Sequence, residues 1–510
     1  MGLRAWGRRL ASMEFRLATP LLHRGPLGLS FMPRHHSGSA ALKPILPDAK
    51  SLIGRARWLL RASLIGSVFE EHPGGGVVRV SNHQQAETLA QAFGSTRSAS
   101  PLIVRVSWEI SNSISPAYLQ PQDLSECGAE KGSEIFRMLG KIGGRILGGK
   151  YTDDPCSGQS QQELGGCVNL CSNGSLSPAL VEAAMAAAVP RIQLSTHTSK
   201  AQSKILSRLI DLYASYFNTQ SRGAVEALLR QPARPGSLTM KVEVVERPGA
   251  RLSGGEDLGL ARLAILSLAL VPTLLGVGGG GSRGLGRFVL TSYTLDETLG
   301  GELEERLGQV AKGGPHILDA AKSLVTSALQ VYPEIYSRAS ASRRLTLRDN
   351  PLDLQKPPES LLTNPSLGLA LGLGTTIEAN RLDLKPPEWL PEPASKLYPV
   401  YKTLYKIGLA TSFRVLCGKC KDANVAIAFR KRLFGLPKSQ IGIKGRLPSP
   451  IYLAPLLRAD IDGEAWSLWG VAILLLLTPA SQGDPPEYTL KWNVARAAIG
   501  AVSGILAGDP

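Results

Sequence analysis

The segment Val277-Gly278-Gly279-Gly280-Gly281-Ser282-Arg283-Gly284-Leu285-Gly286-Arg287-Phe288 sets six glycines around two arginines. That combination suits anion binding. Glycines reach positive φ without a Cβ penalty and let the backbone come close to a ligand. Consecutive N–H groups in such a turn form a concave seat for a phosphate. Arg283 and Arg287 add full charge and planar donors, and Phe288 offers a stacking face. Gly279, Gly280, Gly281, Ser282, Arg283, Gly284, Gly286 and Arg287 are therefore candidate contacts to a polyphosphate backbone. The order Gly-Ser-Arg-Gly is not the Gly-Lys-Ser/Thr of a P-loop. A dinucleotide loop runs from strand to helix, and this one runs from helix to strand.

Two elements must position this loop: an apolar helix from about 258 to 275, and a strand beginning Phe288-Val289-Leu290. A second cationic surface lies upstream. Asp48 can cap a helix from about Ala49 to Phe69. At 100° per residue, Lys50, Gly54, Arg57 and Arg61 share one stripe, and Leu52, Ile53, Ala56, Leu59, Leu60, Ser63 and Leu64 share the opposite arc. Gly54 removes bulk from the middle of the stripe, so a ligand can lie close to it. Trp58 flanks the stripe, where an indole can stack on a base. A third basic stretch, 429–446, holds Arg430, Lys431, Arg432, Lys438, Lys444 and Arg446 with no acid. Lys431, Lys444 and Arg446 join the candidate contacts.

Net charge is +16 over 510 residues, with a pI near 9.6. Such a balance favours a polyanionic partner, nucleic acid or an anionic membrane. The two long apolar runs, Leu263–Val277 with Pro272 inside it and Trp466–Leu477, are shorter than the roughly 20 residues of a spanning helix. They read as buried elements, and no membrane partner is expected. Residues 1–12 are Arg-rich and acid-free and read as a disordered extension, with Met13 opening the first strand. The cysteines are Cys127, Cys156, Cys167, Cys171, Cys417 and Cys420. Cys417-Gly-Lys-Cys420 has metal-ligand spacing, but a zinc site wants four ligands and no second pair completes it. Zinc and disulfides remain open alternatives to plain thiols; no cofactor or resident metal is expected. His23, His35 and His36 lie in one loop region and form the best set for general acid–base cleavage of RNA. Clustered carboxylates for metal-dependent cleavage are not visible.

Along the chain, the order strand, basic helix, strand, strand, apolar helix, glycine loop, strand fits a βαββαβ ferredoxin-like unit. Residues 13–305 are assigned to it, with an insertion at about 100–235 and the loop at 276–287. Residues 306–510 are read as a second such unit, with Ala428–Leu433 in the place of the basic helix.

Three segments resemble the RAMP proteins of type III CRISPR effector complexes, most narrowly the first RAMP subunit of the Cmr (type III-B) complex. One is Thr19-Pro20-Leu21-Leu22 followed by Ser51-Leu52-Ile53-Gly54-Arg55-Ala56-Arg57-Trp58-Leu59-Leu60-Arg61. Another is Gly281-Ser282-Arg283-Gly284-Leu285-Gly286-Arg287-Phe288. The last is Phe434-Gly435-Leu436-Pro437 with Arg446-Leu447-Pro448-Ser449-Pro450-Ile451. They cover less than a tenth of the chain. The resemblance implies an α+β fold of two ferredoxin-like RAMP units, a cytoplasmic location, and assembly with other Cmr subunits around a CRISPR guide RNA and its target RNA. It implies a non-catalytic role near the 3′ region of the guide. A metal-independent endoribonuclease using a loop histidine is the alternative.

Overall fold

The computed structural model describes residues 7–65, 69–78, 92–110, 132–157, 171–189, 200–216, 222–331, 376–410, 451–459, 466–475, 488–489 and 500–507, with short gaps inside some ranges. The basic stretch 429–446, including Lys431, Lys444 and Arg446, lies outside the described residues, as do Cys417 and Cys420.

Strand β1 spans Arg9–Leu17. Its alternation puts Met13, Phe15 and Leu17 in the core and leaves Glu14 exposed, the period of two that a one-sided sheet requires. The strand starts four residues before Met13, and Leu10 and Ala11 are buried. Residues 9–12 are thus sheet, not extension. A hairpin of β2 (Phe31–His36) and β3 (Ser39–Pro44) precedes helix α1 (Ala49–Ile65). Asp48 caps α1 as expected: the Ser51 N–H and hydroxyl both donate to its Oδ1, at 2.8 and 2.7 Å. These bonds hold the carboxyl below the usual range. Strand β4 is Leu102–Ile110. Among the described residues, four helices follow: α2 (Gly132–Leu147), α3 (Pro178–Ala188), α4 (Lys200–Tyr216) and α5 (Arg222–Leu229). Then come β5 (Leu238–Glu246), α6 (Gly255–Leu270) and β6 (Phe288–Leu295).

The sheet order is β6-β1-β5-β4, with every neighbouring pair antiparallel. This is the 4-1-3-2 order that a βαββαβ unit makes when its two helices cover one face. Strand β4 pairs with β5 and so lies inside the span of about 100–235 that the sequence marks as an insertion. The boundary expected between 305 and 306 does not coincide with the end of an element. It falls inside α7 (Glu302–Lys312), and α7 and α8 (His316–Val331) both pack on α6.

The described remainder gives β7 (Thr376–Glu378), α9 (Ala394–Ala410), β8 (Ile451–Ala459) and β9 (Trp466–Leu475). Their antiparallel sheet has the order β7-β9-β8, and residues 502–507 are helical. The β8–β9 hairpin docks on the first sheet, where Ala18, Val289 and Leu457 form a small core beside Trp466 and Leu468. The Arg16 guanidinium lies 5.7 Å from the Trp466 ring centre, a cation–π distance.

Leu258–Leu275 is apolar and long enough to cross a membrane, but it is mostly buried, with Leu263 to Leu275 inside the core. In the insertion, Cys156 is disulfide-bonded, which corrects the plain-thiol reading at that position. Helix α3 carries a buried carboxylate, Glu182, paired with Arg234 at 3.0 Å.

Candidate nucleic-acid interface

The glycine loop owes its shape to how α6 ends. Pro272 has no N–H to donate and crowds the preceding turn. The helix accordingly closes in one π turn, Val271–Leu275, and stops at Gly276 with φ +72°. The carbonyls at this end have no helical partner. Tyr452 of β8 donates its hydroxyl to the Leu275 carbonyl. Arg55 of α1 donates Nη1 to Gly276 O at 2.7 Å and Nη2 to Gly278 O, a cation meeting the negative end of a helix. Arg287 then donates Nη2 to Gly281 O at 3.0 Å and Leu453 O at 3.1 Å.

The same carbonyls decide where the amides go. In a trans peptide, C=O and N–H point in opposite directions. With Gly281 O turned inward onto Arg287, the N–H of Ser282 is turned outward. Among the described residues, the N–H groups of Gly280, Gly281 and Ser282 donate to no protein acceptor. Gly280 has φ +75°. The amides of left-handed Gly280 and of Ser282 form an arrangement suited to an anion, whereas Gly281 between them is buried. Gly279 is exposed, and Gly280, Ser282 and Arg283 are half-exposed.

The second half of the loop does a different job. Gly284 and Gly286 are buried with φ +78° and +63°. A Cβ on Gly284 would lie 2.6 Å from Leu404 Cδ2, and one on Gly286 would strike the Val277 carbonyl. Gly281 is also closed in, with a Cβ there 2.8 Å from Arg55 Nη1. Thr19, fully buried, donates to Gly284 O at 2.8 Å and accepts from the Arg287 N–H at 2.9 Å. Leu22 pairs with Gly279 and Pro20 O accepts from Gly286 N–H. The Thr19–Leu22 segment therefore laces the loop to the end of β1.

Arg287 is the main correction to the phosphate-contact reading. Its side chain is fully buried and its guanidinium lies 5.5 Å from the Tyr452 ring centre. Burial lowers it from 12.5 to about 10, Tyr452 opposing the shift and Arg55 adding to it. Its Nε and Nη1 have no hydrogen-bond partner. The residue is an internal clasp between the loop and β8, out of reach of a ligand. Phe288 is likewise buried and packs on Trp108 at 5.9 Å between ring centres, so it offers no stacking face.

The α1 stripe divides in the same way. Lys50 and Gly54 are exposed. Arg57 is half-buried, and its Nη2 donates to Phe93 O at 2.7 Å and to Gly94 O. The protein itself occupies the group expected to meet phosphate. Trp58 is half-buried and tilts on Tyr452, ring centres 5.8 Å apart. Its indole thus helps pack the helix against β8. Arg61 lies on α1, one turn beyond Arg57. Sequence reasoning missed Arg55 and Tyr452 as the residues that shape the loop. Arg55 sits one residue past Gly54, between the exposed stripe and the buried arc. That boundary position was the available signal, because side chains there reach sideways to a neighbour.

The three histidines of the N-terminal region lie on different parts of the chain's path. His23 follows Leu22 and lies beside the loop. Burial lowers its pKa, Asp48 opposes this, and Arg55 adds to it. His35 and His36 are at the tip of the β2–β3 hairpin, where His36 pairs with Ser39. At about 3.3 Å per residue, His35 stands about 13 Å from Phe31 at the hairpin base. Among the described residues, no group of three His, Cys, Asp or Glu side chains is placed to hold a metal ion.

No protein-family model matches the chain, and no curated protein matches it. Solved structures are similar over nearly the full length at low identity. One is the type III-B Cmr-beta bound to cognate target RNA, 13% identical with a TM-score of 0.46, covering 98% of this chain and 100% of that one. Another is the same kind of complex with AMPPnP in the presence of ssDNA, 14% identical with a TM-score of 0.45, covering 97% and 99%. A third is apo Cmr1 from Pyrococcus furiosus, 12% identical with a TM-score of 0.37, covering 98% and 96%. At such identities and TM-scores, the reading of the site rests on this chain's own geometry.

Proposed function

We propose that the chain is a non-catalytic RNA-binding subunit of a type III-B CRISPR ribonucleoprotein, built from two ferredoxin-like RAMP units. It holds guide RNA near its 3′ region together with target RNA, beside other Cmr subunits. One observation carries the binding part: the free amides of half-exposed Gly280 and Ser282 in a loop whose Gly281 carbonyl is clamped inward. Half-exposed Arg283 in the loop and exposed Lys50 on the helix whose Arg55 clamps it supply charge. The net charge of +16 and the three RAMP-like segments support the same reading. The partial second sheet, ordered first-third-second strand, supports the second unit.

The test is a salt titration of single-stranded RNA binding. Each phosphate contact contributes about 0.7 to the slope of log affinity against log salt for single strands. Lys50→Ala and Arg283→Ala should each weaken binding across sequences alike and flatten the slope by about that amount. An unchanged slope in both variants would refute the assignment. The competing reading, a metal-independent ribonuclease, draws its best support from His23, held toward its neutral form beside Asp48 and Arg55. It requires the purified chain to cleave RNA and His23→Gln to abolish cleavage.

A further inference from the structure

Gly54 sits in the sixth position of the 17-residue helix α1, where glycine is among the poorest helix formers. Glycines elsewhere in the site have internal reasons. Gly281, Gly284 and Gly286 are hemmed in by neighbours, and Gly280 has positive φ. Gly54 has neither. It is exposed, its φ is not positive, and a Cβ built on it would meet nothing within 4 Å. The protein's own packing therefore does not call for glycine here.

Its surroundings point outward. Lys50 and Ser51 lie one turn before it, and Arg57 and Trp58 one turn after. A side chain at position 54 would lean over the turn N-terminal to it, across the approach to exposed Lys50. Arg55, the next residue, holds Gly276 O and Gly278 O, so Gly54 stands beside the loop that bears the free amides. We infer that Gly54 is a contact point where the RNA sugar–phosphate chain lies directly on the backbone of α1 as it passes from Lys50 to the half-exposed amides of Gly280 and Ser282. The inference rests on the RNA-binding reading above. It gives α1 a steric role in addition to its charge.

The prediction has opposite signs for stability and binding. In the full-length protein, Gly54→Ala should raise the unfolding temperature by about 2 °C, because it improves the helix and clashes with nothing. It should weaken binding of a labelled, mixed-sequence single-stranded RNA by about tenfold, as an added methyl does in a filled contact. Gly54→Leu, also a good helix former, should weaken it further. Neither variant should change the salt slope, since no charge is removed. Arg283→Ala is measured in parallel. If Gly54→Ala binds as tightly as the native protein while Arg283→Ala weakens binding, this inference fails and the RNA-binding reading stands. If Arg283→Ala also binds normally, both fail. A lower unfolding temperature in Gly54→Ala would overturn the inference as well, by exposing an internal reason for the glycine.

Discussion

Replacing Arg287 separates a clasp from a ligand contact. In Arg287→Met, two charge-assisted bonds to Gly281 O and Leu453 O are lost. Such bonds are worth about 1.5–3 kcal/mol each, so the loss is roughly 3–6 kcal/mol. Against this stands the cost of the buried charge. Lowering the guanidinium from 12.5 to about 10 corresponds to about 3 kcal/mol at 1.36 kcal/mol per pH unit, and methionine removes it. Methionine also fills much of the vacated space. Arg287→Met should then destabilise by about 0–3 kcal/mol. Arg287→Ala adds the loss of a large, fully buried side chain and should cost about 2–3 kcal/mol more. Urea unfolding midpoints of the two variants measure the difference. The decisive measurement is RNA binding by Arg287→Met under conditions where it is folded. Its salt slope should equal that of the native protein. A fall of about 0.7, the value of one phosphate contact, would show that Arg287 meets the ligand and that the clasp reasoning is wrong.

Other outcomes follow from the same geometry. Arg55→Ala strips partners from Gly276 O and Gly278 O; amide exchange in residues 276–283 should accelerate, with a stability loss of about 2–4 kcal/mol. Gly286→Ala forces a Cβ onto the Val277 carbonyl at positive φ, and should destabilise by about 3 kcal/mol or more in thermal unfolding. Burial raises the Glu182 pKa, with Arg234 opposing. The folded chain therefore holds this proton at pH values where the unfolded chain has released it. The stabilisation is complete below the usual carboxylate range and is lost as pH rises through the raised value. As pH rises above the usual carboxylate range, the melting temperature should fall more steeply for the native protein than for Glu182→Gln.

The sequence by itself determined the elements that depend on local periodicity and capping. The Asp48 cap, the α1 face bearing Leu52, Ala56, Leu59 and Leu60, and the alternating strand Leu238–Glu246 appear where they were expected. The antiparallel sheet β6-β1-β5-β4 came from the structure. The ends of the first unit were not legible. Arg9–Ser12 looks like a charged leader until its pairing with β5 and β6 buries Leu10 and Ala11. Tertiary structure alone decided that Arg287 serves the fold. Arg283 and Arg287 are four residues apart in one glycine-rich loop, and nothing local distinguishes them. The difference is made by β8, almost 170 residues away, whose Leu453 carbonyl and Tyr452 ring draw Arg287 into the core. Charge and spacing mark a residue as able to bind an anion, but they cannot say whether a distant carbonyl has already claimed its donors.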